Sequence, residues 1–327
     1  MKKSLPSFLK IVSTSDFDRE VVATFQYQYN NNVVYRSYCD LINISPTDVQ
    51  RAGDIPYLPI GFFKSHPVQS FKGKPIKTFS SSGTTTSINA QHHLADLSNY
   101  QGSFQATFEQ FYGSPKDWAI LALLPSYMER EGSSLIYMMD SLIGQSKNLH
   151  SGFYLKDLAQ LHTVLLQLEQ QKTPTLLLGV SFALLEFTEK YSMNLSSTIV
   201  METGGMKGRR KELTREELHQ KLQKGFGVST IHSEYGMTEL LSQAYSKAKG
   251  RFQCPNWMQV TPFEINDPFT PTEKGKIGRL NIIDLANQES CAFIATDDLG
   301  RSFSDGTFEV MGRLDASDIR GCNLLVY

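Results

Sequence analysis

Apolar residues recur at helical spacing over positions 17–29 and 34–42, which predicts two amphipathic helices near the start of the chain. Ser45-Pro46 predicts the start of a further short helix, and 76–79 reads as extended. A helix is expected over 97–111, capped by Asp96 or Ser98. Positions 118–124 are an almost unbroken apolar run ending at Pro125, the pattern of a strand buried on both faces. Helix and strand then alternate: helices near 135–143, 156–170 and 182–190, and strands at 175–178 and 198–201. Thr214-Arg215-Glu216-Glu217 is a capping box that predicts a helix to about Lys224, ended by Gly225 and Gly227, with a strand at 228–231. Beyond Pro255 the texture changes to short strands at 258–265, 278–284, 291–295 and 307–310, separated by Gly, Pro and Asp turns.

This alternation predicts an α/β fold, a doubly wound and mainly parallel sheet with a smaller β-rich subdomain. The expected organisation is a helical segment at 1–70, a nucleotide- and acyl-binding core at 71–255, and a β-rich subdomain with a short tail at 256–327. The length of 327 residues suits about two units of ~150 residues each. With 32 basic and 33 acidic residues the formal net charge is −1, so bulk charge points to neither nucleic acid nor an anionic membrane. The 4 cysteines, Cys39, Cys254, Cys291 and Cys322, form no C-x-x-C pair, which excludes a zinc ribbon. No leader pattern and no run of ~18 apolar residues is present, and a cytoplasmic location is the expectation.

Several polar segments fall after predicted strands. Ser81, Ser82, Gly83, Thr84 and Thr85 offer hydroxyls and backbone amides to phosphates, although the chain has no G-x-x-x-x-G-K-[ST] loop. Alone, this segment reads first as a plain polar loop. In Glu202-Thr203-Gly204-Gly205-Met206-Lys207, Gly204 and Gly205 let a flat base approach the backbone, and Lys207 is either a phosphate ligand or an ordinary surface lysine. Tyr235-Gly236-Met237-Thr238-Glu239 supplies an aromatic for stacking and a carboxylate for Mg²⁺. His232, just upstream, reads first as a packed histidine. Asp298 is expected in a turn after the strand, where a carboxylate can accept both ribose hydroxyls, and Arg313 can pair with phosphate or ribose.

The order of these segments, together with Gly312-Arg313-Leu314-Asp315, resembles the acyl-adenylate-forming (ANL) superfamily, from about residue 71 onward. Within it the chain looks most like the LuxE-like acyl-protein synthetases, relatives of phenylacetate–coenzyme A ligase. The resemblance implies ATP and Mg²⁺ as cofactors and a carboxylic acid, a fatty acid first of all, as substrate. The acid becomes acyl-AMP, and a thiol then takes the acyl group. Cys322, between Gly321 and Asn323, is implied as the acceptor, with Arg320 beside it to favour the thiolate. Its alternative is a small buried hydrophobe under Leu324, Leu325 and Val326. A LuxC-like acyl reductase or a thiol carrier protein is the implied partner.

Departures from the family pattern are specific. Thr86-Ser87-Ile88-Asn89 stands where Gly and Pro-Lys are usual, and Asp297 replaces the middle glycine of T-G-D. The chain ends at Tyr327, so the family's C-terminal lid domain, which brings a catalytic lysine, is expected to be lacking, and Lys207 is the candidate replacement. Two other functions remain open: a coenzyme A ligase of the phenylacetate type, and a non-catalytic nucleotide- or acyl-binding subunit. Tyr127, Met128, Met138 and Met139 are candidate acyl-pocket residues.

Overall fold

A computed structural model describes residues 6–81, 89–125, 132–204 and 213–314. The chain divides into two compact units. Unit 1 joins residues 1–77, 92–96 and 256–327, and unit 2 holds 78–91 and 97–255.

Unit 1 opens with helices α1 (Thr14–Asn31) and α2 (Val33–Leu41). Ser13 caps α1 by accepting the Asp16 amide. Asn32 does double duty between the helices: its backbone N–H closes α1 on Gln28, and its side chain accepts from the Tyr35 amide to open α2. Ser45-Pro46 starts no helix. The Asp48 carboxylate takes both the Ser45 amide and its hydroxyl, at 2.8 and 2.6 Å, and closes a lone turn instead. A short strand β1 (Leu58–Pro59) and helix α3 (Phe62–Ser65) follow. Strands β2 (Lys77–Ser80) and β3 (Gln91–Leu94) pair as a ribbon.

The longer segment of unit 2 opens with α4 (Ser98–Tyr112), preceded by Leu97, which makes no side-chain cap bond. Leu97 already has helical angles, so Ser98 lies inside the first turn and Asp96 flanks it. Then come β4 (Ala119–Leu123), α5 (Ser134–Gln145), β5 (Gly152–Phe153), α6 (Leu158–Gln170), β6 (Thr175–Val180), α7 (Ser181–Lys190), β7 (Thr198–Thr203), α8 (Arg215–Phe226), β8 (His232–Tyr235) and β9 (Ala244–Ser246). They build a six-stranded sheet in the order β5-β4-β6-β7-β8-β9, parallel except for β9. Every residue of β4 and β6 is buried, as the unbroken apolar runs predict for strands covered on both faces.

Two details of α8 and β8 correct the sequence expectation. Gly225 does not end α8, which continues to Phe226 and is closed by Gly227. Gly225 is instead a packing position, since a Cβ there would stand 2.4 Å from the Cβ of Thr188 on α7. The strand expected at 228–231 begins four places of register later in effect: pairing with β7 starts at Met201 opposite His232, so His232 to Tyr235 are the strand itself.

Unit 1 is completed by β10 (Met258–Phe263), β11 (Gly278–Asp284), β12 (Phe293–Ser302) and β13 (Phe308–Arg313). These form an antiparallel sheet, and β1 joins β12 in parallel. The helical start and the β-rich C-terminal part therefore share one core. Phe25, Tyr35 and Phe293 cluster at ring distances of 5.8 to 6.4 Å. The Gln28 amide donates to the carbonyls of Asn287 and Gln288, and Asn32 donates to that of Ser290.

Candidate functional site

In unit 2 the parallel strands β6, β7 and β8 are neighbours and run into Ser181, Gly204 and Gly236 at their carboxyl ends. That edge is where open α/β sheets bind ligands. Gly204 takes a left-handed turn, with φ of 65°. Its carbonyl accepts from the Ser181 hydroxyl at 2.6 Å. The same Oγ lies 3.2 Å from Glu202 Oε2, so β6 and β7 are tied together at this edge. Tyr235 is buried, with its ring edge-on to Phe252 at 5.8 Å. Glu239 is buried as well. Thr238 is half-exposed.

Two buried carboxylates stand side by side here. Register places Glu202 opposite Ser233 and Thr203 opposite Glu234. Glu202 accepts from Arg215 at 2.8 Å and lies 3.4 Å from His219 Nε2. Burial works to raise the Glu202 pKa, but the His219 hydrogen bond, the Arg215 charge and the Ser233 hydroxyl together hold it below the ordinary value. Glu234 accepts from the Thr203 hydroxyl. Burial, reinforced by the Glu202 charge, pushes Glu234 up to about 7 against the opposing effect of Thr203. Gly236 leaves the space this carboxyl needs, since a Cβ there would fall 2.5 Å from Glu234 Oε1.

Ser81 forms a clasp with Ala90. Its N–H donates to the Ala90 carbonyl at 3.0 Å, and its Oγ accepts the Ala90 amide at 2.9 Å.

In unit 1, Asp298 is not in a turn. It is part of β12, which continues extended because β13 pairs with it there, Asp298 standing opposite Arg313. Arg313 Nε donates to Asp298 Oδ1 at 3.2 Å, and the Thr296 hydroxyl accepts the Asp298 amide. Asp297, the residue that departs from the family pattern, is held by Arg279 at 2.7 Å. Ser82, Gly83, Thr84, Thr85, Gly205, Lys207 and Cys322 lie outside the described residues, as do Tyr127 and Met128. Met138 and Met139 are buried on α5.

No family model matches the chain. It is 23% identical over 337 residues to the long-chain-fatty-acid–luciferin-component ligase of Aliivibrio fischeri, across 94% of this chain and 86% of that protein. Among solved structures it superposes on 2-hydroxyisobutyryl-CoA ligase in complex with 2-HIB-AMP, with a TM-score of 0.71, 11% identity, and coverage of 92% of this chain and 68% of that one. ATP-bound MatB from Rhodopseudomonas palustris matches with a TM-score of 0.55 and 15% identity over 74% of this chain. The fold is that of the ANL ligases. The chain spans about half the length of MatB, 49%.

Sequence reasoning missed Arg215, His219, Ser181, Glu234 and Phe252. One signal was available. Arg215 is the first residue of a helix, where the macrodipole disfavours a cation, while the adjacent Glu216 and Glu217 suit that position.

Proposed function

We propose that this protein uses ATP to activate a carboxylic acid, a long-chain fatty acid first of all, as acyl-AMP and passes the acyl group to a thiol. The observation that carries the reading is the convergence of Ser181, Gly204 and Gly236 after three adjacent parallel strands, in a fold shared with ATP- and acyl-AMP-bound ligases. The similarity to a fatty-acid ligase over nearly the whole chain supports the substrate class. A carboxylate oxygen attacks the α-phosphorus, the bond to pyrophosphate breaks, and acyl-AMP forms. A thiolate then attacks the acyl carbon and AMP leaves.

In this reading Tyr235 and Gly236 border the base, with Gly204 and Gly205 against its face. Ser81, Ser82, Gly83, Thr84, Thr85 and Thr238 serve the phosphates, with Lys207 as the candidate cation. Asp298 takes the ribose hydroxyls, oriented by Arg313. Among the described residues no three His, Cys, Asp or Glu side chains gather as a metal cage. Glu239 would hold Mg²⁺, for which one or two carboxylates beside bound phosphates suffice. When bound there it supplies charge neutralisation at the phosphates.

The acceptor is narrowed by burial. Burial, with a lesser push from Asp40, raises the Cys39 thiol to about 12, and burial holds Cys291 still higher, so neither supplies thiolate at neutral pH. Cys254 is half-buried. Cys322 is the proposed acceptor, with a LuxC-like acyl reductase or thiol carrier as the next recipient. The test is hydroxylamine trapping and pyrophosphate release with ATP, Mg²⁺ and a series of acids, followed by intact mass. Acid-dependent pyrophosphate release and an acyl adduct that disappears in Cys322→Ser are expected. An unchanged adduct in that variant moves the acceptor elsewhere. Release that also requires coenzyme A indicates a coenzyme A ligase, and ATP binding with no release under any condition indicates a non-catalytic subunit.

A further inference from the structure

Arg215 is linked to two of the segments that border the proposed nucleotide site, yet it belongs to neither. Its Nη1 donates to Glu202 Oε1 at 2.8 Å, and Glu202, two residues before Gly204, lies 3.2 Å from the Ser181 Oγ that donates to the Gly204 carbonyl. Its guanidinium also lies over the Phe252 ring, 5.0 Å from the centroid. Phe252 in turn packs edge-on against Tyr235 at 5.8 Å. One planar cation thus touches a carboxylate that leads to the Gly204 turn and an aromatic that leads to Tyr235.

The surroundings are built for this placement. Gly250 has φ of 63°, and a Cβ there would meet Arg215 Cδ at 2.6 Å, so the chain gives up a side chain to let the arginine through. The Arg215 Nε is buried and has no hydrogen-bond partner among the described residues. An arginine at the start of α8 gains nothing from the helix dipole and leaves a buried nitrogen unsatisfied. Its contacts with Glu202 and Phe252 are what hold it there. A lysine keeps the charge but not the flat face that stacks on a ring.

We propose that Arg215 is a positioning residue that couples the Gly204 turn to Tyr235, so that both present to the nucleotide together. This rests on the reading of these segments as a nucleotide site. It places the effect of Arg215 on ATP affinity rather than on the acid.

The test compares Arg215→Ala, Arg215→Lys, Phe252→Leu and the Arg215→Ala/Phe252→Leu pair, with ATP binding by calorimetry, KM for ATP and for the acid, and Tm. The expected result is a roughly ten-fold weaker ATP affinity in Arg215→Ala and in Phe252→Leu, with KM for the acid near wild type. Arg215→Lys falls between, and the double variant is no weaker than the worse single one. A lowered Tm with unchanged ATP affinity overturns the proposal, as does additivity of the two single losses. If Arg215→Ala does not fold, Arg215→Lys and Phe252→Leu decide by the same criterion. Wild-type protein that binds ATP but releases no pyrophosphate with any acid sinks the proposed reaction and leaves the coupling intact. Wild-type protein that binds no ATP overturns both.

Discussion

Glu202 and Glu234 are chemically alike and sit on adjacent strands, yet their surroundings drive their pKa values apart. Glu202 has an arginine, a histidine and two hydroxyls around it, whereas Glu234 has the Thr203 hydroxyl and the Glu202 charge. Tyr100 and Tyr245, both fully buried, also feel the Glu234 charge. The sign of the resulting pH dependence follows. With Glu234 raised from 4.5 to about 7 in the folded protein, the unfolded chain loses its proton first, so this group costs stability as pH rises from 4.5 to 7. Glu234→Gln removes that cost: its Tm relative to wild type is expected to climb between pH 4.5 and 7 and level off above. His232 contributes the opposite slope. Burial and the Lys247 charge lower it from 6.5 to about 4, so stability is lost as pH falls through that interval. A Tm difference for Glu234→Gln that is flat with pH would show that folding does not raise this carboxyl. None of this is legible in the sequence, because a pKa belongs to the neighbours that folding brings in.

At the scale of elements, the hydrophobic pattern located most helices and strands, and its errors share a cause. The strand expected at 228–231 and the turn expected at Asp298 were misplaced because strand limits depend on where a partner strand begins and ends. Gly225 was misread for a related reason. In isolation a glycine near a helix end signals termination, but here α7 approaches so closely that only a hydrogen fits opposite Thr188. Phe187 and Phe226 stack at 5.7 Å alongside. Gly225→Ala, which in an exposed helix stabilises by roughly 0.5–1 kcal/mol, is therefore expected to destabilise by about 1–3 kcal/mol. Urea unfolding measures it, and a stabilised variant would mean that α7 and α8 separate at little cost.

For the whole molecule, the two ends of the sequence meet in one unit. β1 pairs with β12, and Gln28 and Asn32 satisfy carbonyls in the 287–290 segment, so residues 256–327 alone leave a β12 edge and buried polar groups open. That fragment is expected to be unfolded by circular dichroism and to gain structure when residues 1–77 are supplied in trans. A cooperatively folded fragment would refute this. The sequence by itself determined the α/β class, the alternation of elements and the order of segments that resembles the ANL superfamily, because periodicity and motif spacing are local and survive without a partner. Tertiary structure alone decided that distant ends share a core, that Asp298 lies in a strand paired with Arg313, and that Arg215 reaches both Glu202 and Phe252. Those facts depend on strand register and on close approach between residues far apart in the chain, and no local pattern encodes them.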